Sequence, residues 1–150
     1  MMMKQLFTLM TAFVLMAPAT VVAMTNLSPA ELVEARKMNF KQSGSAMRQM
    51  RGQLQNDDMQ AIANAGEAIA AWADKMPSYF PEGTGPDTLR TNAKASIWQE
   101  FDKFTALAQD NQRAALALVA AAKSGEASDV MAQMQALGKT CGACHSNYKN

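Results

Sequence analysis

The chain has 150 residues, with 14 Lys plus Arg against 13 Asp plus Glu and a formal net charge of +1 at pH 7. This near-neutral balance, without a basic run in the sequence, gives no argument for a nucleic-acid binder, and the length is one domain's worth of chain. Abundant Ala, Met, Gln, Glu and Lys with few β-branched or aromatic residues favours helix throughout.

In chain order, Lys4 supplies a short basic start, Leu6 to Met16 an apolar stretch and Val21-Val22-Ala23 a small-residue cleavage site. Residues 1–23 are therefore expected to form an export leader, cleaved after Ala23 or alternatively after Ala19, with 24–150 as the mature domain. The apolar run falls short of the about 20 residues that a spanning helix needs. Ser28-Pro29-Ala30-Glu31 is a capping box with proline at the first helical position, so a first helix is expected to run to about Leu54. Val33, Phe40, Met47 and Leu54 repeat along it at seven, with Arg36, Gly44 and Met50 on or near that stripe. Gly44 lowers helix stability by about 1 kcal/mol relative to alanine; it is either simply tolerated or marks close approach of another helix or a flat ligand.

Asn56-Asp57-Asp58 offers a second cap, and Ile62, Ala65, Ile69, Trp72 and Met76 follow at the spacing of a buried helix face that ends near Pro77. Ser78 to Thr88, rich in Pro and Gly, is the longest irregular segment. A third helix is expected from near Thr91 to Lys123, with Ile97, Phe101, Phe104 and Ala108 inward and Gly125 as its stop. A fourth, from around Ser128, carries Val130, Met134, Leu137, Cys141, His145 and Tyr148 on one side. The fold class is all-α: an antiparallel four-helix bundle, an architecture that holds cofactors in its core between facing helices.

The two cysteines and the single histidine fall together in Cys141-Gly142-Ala143-Cys144-His145. This is C-x-x-C-H, the attachment motif of haem c. Thiols three residues apart occupy adjacent positions of a helical turn, so both can form thioethers to the vinyl groups on one haem edge, and the next residue sets an imidazole beneath the iron. A structural zinc site wants four such ligands, and the chain has three, crowded into one turn. A thioredoxin-like dithiol belongs between a strand and a helix, yet no strand-like run precedes Cys141. A disulfide closing so small a loop stabilises little in the chain-entropy picture.

With a bundle and a C-terminal C-x-x-C-H, the chain resembles cytochrome c′, the high-spin branch of class II c-type cytochromes. The resemblance covers essentially the whole mature chain: Glu34-Ala35-Arg36 with Phe40, Tyr79-Phe80-Pro81 with Gly83-Thr84, Ala95-Ser96-Ile97-Trp98, and Cys141 to Lys149. It implies one covalent haem c on Cys141 and Cys144, with His145 as axial iron ligand and Arg36 near a haem propionate. Lys37 either assists on the propionate side or is a solvated surface lysine. Phe80, Trp98, Tyr148 and Lys149 are implied around the pocket; Lys149 stands where the family usually has arginine, which keeps a charge but loses a rigid guanidinium.

Phe40 sits where the low-spin members use methionine as sixth ligand. A phenyl ring has no lone pair to donate, so the resemblance implies five-coordinate, high-spin iron under a crowded apolar distal face. Met38 points largely away from Phe40 around the helix, and Met47 lies two turns further on, about 10 Å along the axis; both read as packing. The resemblance implies a periplasmic protein that binds nitric oxide and carbon monoxide and discriminates against oxygen, whose bound form depends on distal hydrogen-bond donors. The alternative is a dedicated low-spin electron carrier with methionine as sixth ligand and a redox partner protein. No acid or base is evident near Phe40 for catalysis, so an enzyme is not expected. The family also implies a homodimer.

Overall fold

The computed structural model describes residues 27–150; the expected leader lies outside them. Helix α1 spans Pro29–Gln55. It opens on the expected capping box: the Ser28 hydroxyl accepts from the Glu31 N–H at 3.4 Å, and the Glu31 carboxylate accepts from the Ser28 N–H at 2.7 Å. These bonds satisfy donors that the first helical turn leaves unpaired. Helix α2, Met59–Lys75, is capped by Asp58, whose carboxylate accepts from the Ala61 N–H at 3.0 Å. A 3-10 turn, Met76–Tyr79, then carries the chain through Pro77 into the long loop.

The third helix departs from expectation. No helix starts at Thr91; α3 is a single turn, Ser96–Gln99, the backbone breaks at Glu100 (φ −128°, ψ 42°), and α4 runs over Phe101–Ser124. Residues 92–94 pair with the chain's end instead. The Lys94 N–H donates to Tyr148 O and the Asn150 N–H to Asn92 O, each at 2.9 Å, and Ala93 forms an antiparallel bridge with Lys149. Backbone groups committed to a distant segment are not available to a helix. The break also offsets the side-chain register. Ile97, Phe104 and Ala108 are buried as expected, whereas Phe101, expected inside, is 37% exposed. Gly125, at φ +84°, closes α4 in the left-handed conformation that glycine adopts without strain, and α5 follows over Ala127–Tyr148.

The four long helices form an antiparallel bundle in which α2 packs chiefly on α4, α4 on α5 and α1 on α2. Its core has two parts. Met50, Ile62, Leu118, Val130 and Leu137 fill the end nearest the short turns, and Trp72, Phe80, Ile97, Phe104 and Tyr148 fill the end beneath the long loop. Gly66 sets the closest approach of α2 to α4. A Cβ there would lie 2.8 Å from Val119 Cγ2 and 3.3 Å from the Ala115 carbonyl oxygen. Gly66→Ala is therefore expected to destabilise the protein by about 1–3 kcal/mol through overpacking, although alanine is the better helix former by about 1 kcal/mol. A lowered urea midpoint with an unchanged m-value would register it.

Among the described residues no helix is long and apolar enough to cross a membrane.

Candidate haem site

Helices α1 and α5 build the centre of the site. Phe40 from α1 and Cys144 and His145 from α5 are the three residues that border both of two cavities, of about 510 Å³ and about 240 Å³. The larger lies under the long loop, with Phe80, Ile97, Phe104 and Tyr148 as apolar wall and Arg36, Lys37, Lys41, Arg90 and Lys149 as its charged members. The smaller runs along α1 and α2, past Gly44, Met47, Ile69 and Trp72 to Asn111, Thr140 and Cys141.

The ring of Phe40 stands edge-on to Trp72 at 5.3 Å between centroids and to Phe80 at 6.4 Å. Phe80 continues to Phe104 at 4.8 Å, and Phe104 to Tyr148 at 5.6 Å. Edge-to-face pairs at these separations are favourable because the positive edge of one ring meets the negative face of the next. This run of rings fixes the apolar side of the site.

Arg36 is 2% exposed. Its Nη1 donates to Tyr79 O at 3.2 Å and Thr84 Oγ1 at 3.0 Å, and its Nη2 to Thr84 O at 2.7 Å and Thr91 Oγ1 at 3.0 Å. The guanidinium carbon also lies 4.2 Å from the centre of the Phe80 ring. Burial lowers its pKa from the ordinary arginine range to about 10, which leaves the cation intact at neutral pH. No carboxylate pairs with it among the described residues.

Cys141 and Cys144 are half-buried and not joined to each other. Burial pushes both thiols up, Cys144 to about 11, while at Cys141 an Asn111 amide contact at 3.6 Å opposes the shift. Both are therefore neutral thiols at pH 7. His145 is exposed, and its pKa is lowered first by desolvation and then by Lys149. The ring is thus neutral at pH 7, the form with a lone pair for a metal. Among the described residues no cluster of three or more His, Cys, Asp or Glu side chains is arranged to hold a bare metal ion.

The donor set suits a flat, largely apolar group that carries two carboxylates and a metal centre. Aromatic walls, two thiols and an imidazole meet at one junction, cations stand to one side, and Gly44 leaves the smaller cavity free of a side chain, since only Arg48 Nη1 would come within 4 Å of a Cβ there. Of the two readings of Gly44 as a point of close approach, the structure places it on the cavity and not against another helix.

The family model described as Cytochrome C′ matches residues 31–149. The chain belongs to the cytochrome c′ family. Its members bind covalently attached haem c. A cytochrome c′ of Rhodospirillum rubrum is 37% identical over 123 residues, 81% of this chain and 83% of that protein. The crystal structure of cytochrome c′ from Thermochromatium tepidum superposes with a TM-score of 0.73 at 32% identity, covering 82% of this chain and 97% of that one. A further cytochrome c′ structure, described with an unusual ligand-controlled dimer dissociation, gives a TM-score of 0.74 at 27% identity and covers 82% and 97%.

Nearly all the residues that the cytochrome c′ resemblance singled out border these cavities: Arg36, Lys37, Phe40, Phe80, Tyr148, Lys149, Cys144 and His145 the larger, and Cys141 the smaller. Trp98 borders neither. Its indole N–H donates to Phe80 O and Pro81 O, both at 3.0 Å, so it holds up the strand of loop that carries Phe80. Met38 is 61% exposed. Met47 reaches the smaller cavity, with its Cε 4.0 Å from the Cβ position of Gly138. Gly138 precedes His145 by two helical turns, about 10 Å along α5, which separates this thioether from the histidine's level.

Sequence reasoning missed Trp72 and Asn111 as cavity residues. Trp72 stood out only as a member of a buried helix face, and Asn111 not at all. Asn111 donates to Thr140 Oγ1 at 2.8 Å. The Trp72 indole nitrogen is buried without a hydrogen-bond partner.

Proposed function

We propose that this chain is a periplasmic monohaem c-type cytochrome that binds small gases, nitric oxide and carbon monoxide among them, and transfers single electrons. Residues 1–23 are its export leader and 24–150 the mature domain. Cys141 and Cys144 would hold the haem through thioethers, His145 would ligate its iron, and Arg36 and Lys37 would face the propionates. Bound haem would supply a redox-active iron able to take a diatomic ligand. The observation that carries the reading is the position of Phe40: it is the one residue of α1 that borders both cavities together with Cys144 and His145, and its ring offers no ligand atom.

The chain's residues then divide the work. Phe40, held by Trp72 and Phe80, screens the open side and must yield to whatever enters. The neutral His145 ring supplies the lone pair, and the apolar walls exclude water. Among the described residues the smaller cavity has no carboxylate or amine to move a proton, which favours binding and electron transfer over catalysis. The 27%-identical cytochrome c′ with ligand-controlled dimer dissociation supports both a ligand-binding iron and a homodimer here.

Absorption spectra of the oxidised and reduced holoprotein, before and after adding carbon monoxide, test the reading. The expected result is a high-spin reduced spectrum that shifts with the gas. A sharp low-spin spectrum indifferent to it would mean a sixth ligand and a dedicated electron carrier, and Met47→Leu would then ask whether the methionine of the smaller cavity supplies it.

A further inference from the structure

The mouth of the larger cavity gathers four exposed cations from three separate segments: Lys37 and Lys41 of α1, Arg90 of the long loop, and Lys149 just past α5. No aspartate or glutamate lines that cavity, in a chain whose totals are 14 basic and 13 acidic residues. Elsewhere Lys103, Arg113 and Lys123 each lie against a carboxylate, of Glu100, Asp110 and Glu67, while Arg48, Arg51, Lys75, Lys94 and Lys139 stand unpaired among the described residues but spread over separate parts of the surface. On this rim only Lys37 does, with Glu34 at 2.7 Å. Lys41, Arg90 and Lys149 have no ion-pair partner among the described residues.

The fold accepts a cost to bring these charges together. Lys37 and Lys41 stand one turn apart on α1, a spacing at which like charges weaken a helix by a few tenths of a kcal/mol. The Lys37 ammonium also donates to Arg90 O at 3.2 Å, which fastens the loop so that Arg90 stays beside it. The proposed haem would bring two carboxylates to a cavity lined by five cations, Arg36, Lys37, Lys41, Arg90 and Lys149, so the rim keeps a positive excess.

We infer that this rim is a docking surface for an acidic, one-electron-accepting protein, which takes its electron at the mouth of the larger cavity. The inference rests on the electron-transfer part of the function proposed above. In the step, ferrous iron loses one electron and the partner's redox centre gains it; no proton or group moves. Complementary charge speeds encounter by on the order of tenfold or more at low salt, and it orients the acidic face towards the rim. Screening within about 10 Å at 0.1 M salt removes much of that gain.

The test is stopped-flow oxidation of the reduced holoprotein by hexacyanoferrate(III), an anion, and by tris(phenanthroline)cobalt(III), a cation, from low to physiological ionic strength. The hexacyanoferrate rate is expected to fall on the order of tenfold with salt, and the cobalt rate to rise. Lys41→Glu with Arg90→Glu should reverse both slopes, and the neutral Lys41→Gln with Arg90→Gln should fall between. Poly-L-glutamate, as a stand-in for an acidic protein face, should slow hexacyanoferrate oxidation of the wild type and spare the reversed variant. A hexacyanoferrate rate insensitive to salt, or unchanged in a reversed variant with native circular dichroism, would overturn the docking surface while leaving electron transfer intact. Co-sedimentation with phosphatidylglycerol vesicles and no effect of poly-L-glutamate would overturn it in favour of a lipid contact. Failure of both reagents to oxidise the protein would remove the electron-transfer reading, and the docking surface with it.

Discussion

Phe40→Ala is expected to tighten carbon monoxide binding to the reduced holoprotein by roughly 5- to 150-fold, the range set by the 1–3 kcal/mol or so that a ligand gives up on displacing the ring, at about 1.4 kcal/mol per tenfold in affinity. The ring makes edge-to-face pairs with Trp72 and with Phe80, each pair contributing about 0.5–1.5 kcal/mol beyond area burial. Alanine removes that penalty because the open state is already populated. The gain should appear mainly in the association rate, since the ring bars entry. Phe40→Leu should fall between, and Phe40→Met, which places a thioether at this position, should give a low-spin spectrum that carbon monoxide barely alters. A carbon monoxide titration of Phe40→Ala that matches the wild type would show that the ring does not lie in the ligand's way.

The positions that could be read ahead of the structure are those whose physics is local. A capping box at Ser28, an aspartate cap at Asp58 and a left-handed glycine at Gly125 each act within one helical turn, so the sequence announces them. The same holds for Cys141, Cys144 and His145, which chemistry confines to five consecutive residues. What could not be read depends on partners far along the chain. Thr91 looks like the start of a helix because nothing nearby forbids one; the residues after it are claimed by Tyr148 and Asn150, more than fifty positions away. The spacing of Phe101 from Ile97 and Phe104 puts it inside only if the helix is unbroken, and the turn at Glu100 invalidates that count.

Trp98 and Trp72 show the same division inside the site. Trp98 lies in a stretch that resembles the family, but its N–H is committed to the carbonyls of Phe80 and Pro81, and this makes it a strut and not a wall. Trp72 has helical spacing alone to recommend it, yet its ring lines the smaller cavity against Phe40. An indole looks the same in a sequence whether its N–H finds a carbonyl or none.

The largest effect on stability is expected at Arg36. The family resemblance implies a propionate partner for it, and the structure adds a role in holding the loop, because the guanidinium ties Tyr79, Thr84 and Thr91 to α1 through four hydrogen bonds. Hydrogen bonds to a charged group contribute about 1.5–3 kcal/mol each, offset here by the desolvation that lowers the guanidinium pKa to about 10. Arg36→Met removes the desolvation together with the bonds and leaves the buried Thr84 carbonyl and hydroxyl short of a donor, for a net loss of about 2–4 kcal/mol. Lys cannot span four acceptors with one ammonium, so Arg36→Lys should lose a substantial part of the same stability. The sign of the pH dependence follows from the shift. A base whose folded pKa is depressed is disfavoured as a cation by folding, and this penalty is constant wherever both states are protonated. The destabilisation should therefore stay flat across neutral pH and change only as pH approaches 10. Urea unfolding across that range measures the loss, and amide exchange locates it, with protection expected to fall first between residues 79 and 91. Full stability and unchanged loop protection in Arg36→Met would mean that the loop is held by Trp98 and the C-terminal pairing, and that the arginine serves the cofactor alone.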